Sequence, residues 1–334
     1  MSIFTTLGMF IIDENRYVSP SYPPQENIIG GAGPYAMIGA RIVSPAQYSR
    51  KISGIIDEGT DFPVKIREEI DTWQTGAIFR KNHNRLTTRG VNIYENGIRS
   101  FEYQTPKKRI EVEDVLQYPE LRQSQCYHLI CSIDRCKLII EELGKVNPNA
   151  IYIYEPLPDD CLFENYNKLK EVLPLIHVFS PNLDEAKALT STNSINADLT
   201  ELCNKFTSYQ KIANSGTVIR CGASGCHIQT SKEASPCQLN VTLPAYHQDQ
   251  SKVIDVTGGG NSFCGGFIMV WFLSGQDWIT SGVCGIISSG CIIEKLGMPV
   301  LEQNKFNGLS LEERLGTYFK KNPQLADKYK LEIS

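Results

Sequence analysis

The sequence has no apolar run long enough to cross a membrane. Its greasiest stretches, Cys264 to Leu273 and Val283 to Ile293, fall well short of the ~20 residues that a span needs and read as core helices. It has no surplus of positive charge either: 33 Lys and Arg stand against 37 Asp and Glu, for a net charge of −4. No electrostatic field is available to hold a phosphate backbone, and the isolated clusters Arg80-Lys81 with Arg85 and Lys107-Lys108-Arg109 read as solvated loop faces. Neither direct nucleic-acid binding nor membrane association is expected.

None of the 11 cysteines forms a Cys-x-x-Cys pair. The trio Cys126, Cys131 and Cys136 is spaced for neither a zinc ribbon nor a redox motif, so that even with His128 beside it a structural thiol cluster is the simpler reading. Reduced thiols suit the cytoplasm, with the nucleus as an open extension. A basic leader is missing too, because Met1 to Gly8 carries no Lys or Arg before an apolar stretch that Asp13 ends, and no secretory signal is expected.

What is present is ordinary globular material. The chain of 334 residues is 41% hydrophobic and 21% charged, with 15 Tyr and 13 Phe, enough to bury a large core and to argue against disorder. Ile3 to Ile12 reads as a first buried strand that delivers Asp13 at its carboxyl end, where α/β folds collect ligands. Residues 75–103 alternate apolar and polar around a Glu95-Asn96-Gly97 turn, as a hairpin does. Beyond them, strand-like segments at Tyr127–Cys131, Ile151–Tyr154, Ile176–Phe179 and Val218–Cys221 alternate with helical stretches, and such βα units imply a mostly parallel sheet. The tail over 309–330 is charged and reads as helical.

The most informative segment is Asp255-Val256-Thr257-Gly258-Gly259-Gly260-Asn261, which opens an apolar helix. Three glycines leave a run of backbone N–H groups free to converge on an anion, and the helix adds the positive end of its dipole. Glycine triplets also make plain turns, and the loop alone does not separate the two readings.

Continued through Ser262-Phe263-Cys264-Gly265-Gly266, the segment resembles the carboxyl-terminal signature of the pfkB or ribokinase family of sugar kinases, Asp-Thr-x-Gly-Ala-Gly-Asp-x-Phe-x-Gly-Gly. Other stretches agree in order. Gly30-Gly31-Ala32-Gly33-Pro34-Tyr35-Ala36 is similar to the family's amino-terminal glycine motif, and Pro181-Asn182-Leu183-Asp184-Glu185 to its Asn-x-x-Glu motif. Gly222-Ala223-Ser224-Gly225 resembles the turn beside the nucleotide.

The resemblance implies a three-layer αβα sandwich with a small β-lid, drawn from about 14–28 and 75–105, within a domain over 1–305 that ends in a helical tail over 306–334. It implies ATP and Mg2+, with phosphoryl transfer to a sugar or nucleoside hydroxyl. Asp13, Gly30, Gly31 and Tyr35 would hold substrate; Gly222, Ser224, Gly225, Asp255 and Thr257 the nucleotide; Asn182 and Glu185 the metal; and Gly258, Gly259, Gly260 and Asn261 the reacting phosphate. Lids of this family often pair between subunits, which implies a homodimer.

Three positions depart from the pattern. Asn261 stands where the family has its catalytic Asp, Tyr35 where it has an Asn, and Arg220 where a Thr is common. An amide can position a hydroxyl but cannot take its proton. An ATP-dependent sugar or nucleoside kinase of reduced rate and a nucleotide-binding pseudokinase both remain open. The overall pattern is closest to a fungal branch of the family that includes a yeast protein implicated in maintaining the killer double-stranded RNA virus, so the pseudokinase reading extends to a structural role there. Asn261 as a plain helix cap is compatible with either.

Overall fold

Short apolar segments that are buried on both faces are satisfied only at the centre of a sheet covered twice over. The computed structural model describes residues 1–18, 23–95, 98–194, 197–235 and 238–331. In chain order the strands of the two larger sheets are β1 Phe4–Thr6, β2 Ile11–Tyr17, β3 Gln25–Gly30, β4 Ile52–Glu58, β5 Ile78–Lys81, β6 Arg89–Glu95, β7 Ile98–Tyr103, β8 Cys126–Cys131, β9 Ile151–Pro156, β10 Val178–Phe179, β11 Gly216–Arg220, β12 Cys226–Thr230 and β13 Asn240–Leu243.

Nine of them form one sheet in the order β13-β12-β11-β10-β9-β8-β1-β4-β5. The seven from β11 to β5 run parallel, and β12 and β13 close the edge antiparallel. One face is covered by helices Ala32–Val43, Gly259–Leu273 and Trp278–Ile292, the other by Ile133–Val146, Tyr166–Val172 and Leu199–Thr207. Each face carries its own apolar cluster, so the architecture is a three-layer αβα sandwich. Trp271 and Phe267, both fully buried, fill the first cluster, and truncating either to Ala costs about 3–5 kcal/mol.

The run Ile3–Ile12 divides into two strands. Phe4–Thr6 joins the main sheet beside β4 and β8, whereas Ile11–Tyr17 enters a second, four-stranded sheet of order β3-β2-β6-β7. Between the two strands the Gly8 backbone packs on the backbone of Gly33, leaving no room for a side chain there. Strands β6 and β7 pair antiparallel from Glu95↔Ile98 outward, and the Asn96-Gly97 turn itself lies outside the described residues. Ile78–Lys81, expected in the lid range 75–105, pairs with β4 at the edge of the main sheet. As an edge strand it is only partly covered, with Ile78, Phe79 and Arg80 half-buried and Lys81 exposed.

Past residue 306, Ser310 caps a helix over Leu311–Lys321 through a reciprocal bond with Glu313. Leu315, Tyr318 and Leu325 from this region enter the first apolar cluster. Arg314, fully buried, donates to both carboxylate oxygens of Glu294 at 2.7 and 2.9 Å. The charged tail is thus fastened to the sandwich.

No helix among the described residues is long and apolar enough to cross a membrane.

Candidate active site

Parallel strands all point their carboxyl ends toward one edge of the layer, so side chains at the ends of adjacent strands gather in one place. Glu155 lies at the carboxyl end of β9, Ser180 and Asn182 come just after β10, and Arg220 ends β11. These three strands are neighbours. Opposite them stands the glycine loop, with Gly258 at φ 76° capping helix Gly259–Leu273. That left-handed backbone suits glycine, and a Cβ at Gly258 would also overlap the Tyr35 ring.

Two further glycines bring the helices themselves together. A Cβ on Gly265 would overlap the Ala36 carbonyl, and one on Gly39 the Ser262 carbonyl, so helices Ala32–Val43 and Gly259–Leu273 touch backbone to backbone. This crossing presses Tyr35, 3% exposed, against the loop. Asp255 shapes the approach to the loop by accepting the Thr257 N–H at 3.0 Å.

Beneath the loop is a buried polar network. The Asn261 amide donates from Nδ2 to Glu155 Oε2 at 2.9 Å. His128 Nε2 lies 3.0 Å from the same carboxylate oxygen, which can only accept, and His128 Nδ1 lies 3.0 Å from the Thr6 hydroxyl. Arg220 Nη1 meets the other oxygen, Glu155 Oε1, at 2.8 Å, and its Nη2 donates to the Ser180 carbonyl at 3.1 Å and faces Glu185 Oε2 at 3.4 Å. Arg220 Nε is buried and has no hydrogen-bond partner among the described residues. A Cβ on Gly260 would overlap Arg220 Nη1, so the guanidinium lies directly against the loop.

Burial alone would push the Glu155 carboxyl up, but the Arg220 charge and the bonds from His128 and Asn261 outweigh it and hold the group down at about 2. Glu185 goes the other way: burial raises it, and Arg220 at 3.4 Å offsets this only in part. Burial disfavours the Arg220 cation, yet the two carboxylates raise its pKa further still. Both oxygens of Glu155 are thus engaged, and it stays ionised without being placed to accept another proton.

A cavity of about 300 Å3 opens beside this network. Asn182, Arg220, Gly222, Gly225, Gly259 and Gly260 line its polar side, and Tyr246, Val253, Val256 and Ile293 its apolar side. Its volume lies at the lower end of the range for small-molecule sites.

The structure brings some of the sequence-derived residues together and leaves others apart. Asn182, Gly222, Gly225, Gly259 and Gly260 line the cavity, and Asn261 is coupled to it through Glu155. Ser224 is exposed on the turn and does not line it, and neither Asp255 nor Thr257 does. Asp13 lies at a separate point on β2, its carboxyl so close to Gly30 that a Cβ there would overlap it; Gly31, at φ 85°, comes next in the turn into helix Ala32–Val43. Tyr35 lies against Gly258 of the glycine loop.

Asn182 and Glu185 bond to each other in a capping box: Asn182 Oδ1 accepts the Glu185 N–H at 2.8 Å, and Glu185 Oε2 accepts the Asn182 N–H at 2.7 Å. Sequence reasoning gave no role to Glu155 or His128. The available signal was an acidic residue closing the apolar strand Ile151–Tyr154 at the end where ligands collect.

A parallel αβα sandwich, a four-stranded lid and a glycine-loop helix over a cavity define a ribokinase-like protein. Solved structures agree at the level of fold. The Anopheles gambiae adenosine kinase in complex with diadenosine tetraphosphate matches with a TM-score of 0.69 at 17% identity, over 88% of this chain and 96% of its own. The putative ribokinase II from E. coli in complex with ATP and Mg2+ matches at 0.65 and 15%, over 89% and 94%. The pfkB carbohydrate kinase family model matches residues 68–301, and protein MAK32 of Saccharomyces cerevisiae is 37% identical over 95% of this chain and 92% of its own length. The chain belongs to the pfkB carbohydrate kinase family.

Proposed function

We propose that this protein binds a nucleotide in the cavity beside the glycine loop and does not carry out phosphoryl transfer at the rate of a working kinase. The observation that carries this reading is the 2.9 Å hydrogen bond from Asn261 Nδ2 to Glu155 Oε2. An amide at Asn261 has no proton-accepting function, and the carboxylate behind it is held ionised by Arg220 and His128. The Gly259 N–H donates to the Val256 carbonyl at 3.2 Å, so the Gly260 and Asn261 amides and the helix dipole are what the loop offers an anion, and Val253, Val256 and Ile293 add apolar lining. ATP and ADP are the ligands proposed.

Loss of the general base is worth ~10²–10⁴ in rate. Tyr35, where the family pattern has an Asn, packs its ring on Gly258 of the loop. Asp13 and Gly31 remain the proposed contacts for such an acceptor. The biological role is then regulatory or structural, through nucleotide-dependent binding.

The test is a calorimetric titration of the purified chain with ADP and ATP, run beside a phosphoryl-transfer assay on a panel of sugars and nucleosides. Binding with turnover at or below ~10⁻² s⁻¹, at least ~10²-fold under the ~1 s⁻¹ lower end of the range usual for enzymes, is expected. Turnover within that usual range would overturn the reading.

A further inference from the structure

Members of this family have Asn-x-x-Glu side chains that hold a divalent cation, and the residues of this chain do not fit that task. The Asn182 side-chain oxygen accepts the Glu185 N–H, while Glu185 Oε2 accepts the Asn182 N–H and faces Arg220 Nη2 at 3.4 Å. The next nearest carboxylate, Glu155, is engaged at both oxygens by Arg220, His128 and Asn261. A dication here would have to displace a guanidinium that already neutralises these groups, and like charges a few ångströms apart in a buried site repel strongly.

We propose that Arg220 is a resident cation in the place of the divalent metal, so that the site binds its polyphosphate ligand without Mg2+. The proposal rests on the reading of the cavity as a nucleotide site. Arg220 lines that cavity, and its side chain is 11% exposed. Its Nη1 lies against Gly260 in the glycine loop, and its Nε–H has no partner among the described residues. A guanidinium that lines the cavity beside a glycine loop is suited to phosphate oxygens. Arg220 cannot leave on chelation, which separates it from any metal.

His128, Glu155 and Cys264 place three donor atoms within 4.8 Å of one another, a set that a soft metal would also accept. Glu155 accepts hydrogen bonds from His128 and Asn261 in that space, and the Cys264 thiol is pushed up by burial and by Glu155, so the geometry favours a hydrogen-bonded network over a metal.

The experiment titrates the full chain with ADP and, separately, with inorganic tripolyphosphate, each in EDTA and in excess Mg2+, with metal content of the purified protein measured alongside. Dissociation constants that agree within about threefold with and without Mg2+ are expected. Arg220→Lys keeps the charge and this independence, whereas Arg220→Thr binds at least tenfold more weakly in EDTA. The wild-type comparison needs no variant to fold.

ADP binding that tightens tenfold or more with Mg2+ overturns the proposal and leaves the nucleotide reading standing. Tripolyphosphate binding without Mg2+ in the absence of ADP binding does the reverse. Failure of both ligands overturns both, and a tightly held zinc ion at one per chain overturns the assignment of Arg220 as the resident cation.

Discussion

Replacing Asn261 by aspartate restores the residue type that the family pattern has at this position, yet it should not restore a kinase. The new carboxylate would stand where the amide now donates to Glu155 Oε2 at 2.9 Å. Two unit charges at that distance repel by about 6 kcal/mol at an effective dielectric near 20. The chain escapes by protonating the new group, which at pH 7 costs about 4 kcal/mol for an ordinary Asp of pKa near 3.9, so the penalty is capped at roughly that value. The aspartate is then neutral at pH 7 and no better a base than the amide.

Linkage sets the sign. A carboxyl whose folded pKa is raised costs nothing below its unfolded pKa and grows costly as pH rises from there toward the folded one. At pH 5 the same protonation costs only about 1.5 kcal/mol. At roughly 2–3 °C per kcal/mol for a chain of this size, the melting temperature of Asn261→Asp falls by about 8–12 °C at pH 7 and about 3–5 °C at pH 5. Adding Glu155→Gln exchanges amide and carboxylate and should recover most of the loss, so the coupling in a double-mutant cycle is at least about 2–3 kcal/mol in magnitude. Calorimetric melts of the four proteins at both pH values are the assay. A single variant as stable as the wild type at pH 7, or equally destabilised at both pH values, would refute the reasoning.

Other outcomes test neighbouring parts of the site. Glu155 is held down at about 2, below its unfolded value, so it contributes stability that is present above about pH 4.5 and lost as pH falls toward 2; Glu155→Gln should flatten that acid limb in pH-dependent denaturation. Gly260→Ala should cost about 3 kcal/mol by displacing Arg220 from Glu155, whereas Gly222→Ala, with open space around its Cβ and only φ 53° against it, should cost about 1 kcal/mol in urea melts. Arg314→Ala leaves Glu294 without its bidentate partner and should cost about 3–5 kcal/mol by the same measurement.

The sandwich was legible because its signals are local. Five-residue apolar strands, a glycine loop before an apolar helix and the order of four motifs all sit within short windows. The capping box of Asn182 and Glu185 was equally readable, and it is what the structure displays. The polar network was not, because Thr6, His128, Glu155, Arg220 and Asn261 come from separate elements and meet only once β1, β8, β9, β10 and β11 take adjacent places in the sheet. The Ile3–Ile12 run misled for the opposite reason. Hydrophobicity is continuous there, and only the backbone contact of Gly8 with Gly33 divides it between two sheets.

The departures at Asn261 and Arg220 were visible singly, as two mismatches to a pattern. Joined through Glu155, they form one arrangement in which an amide, a carboxylate and a guanidinium satisfy one another. Changing one member disturbs the other two.

The most direct test measures ADP binding and phosphoryl transfer on the same preparation of the unaltered protein. Saturable ADP binding with transfer at least ~10²-fold below an ordinary kinase, on every sugar and nucleoside tried, is the expected result. Transfer at ~1 s⁻¹ or faster to any acceptor would contradict the claim that Asn261 and its locked partner Glu155 leave the site without a base.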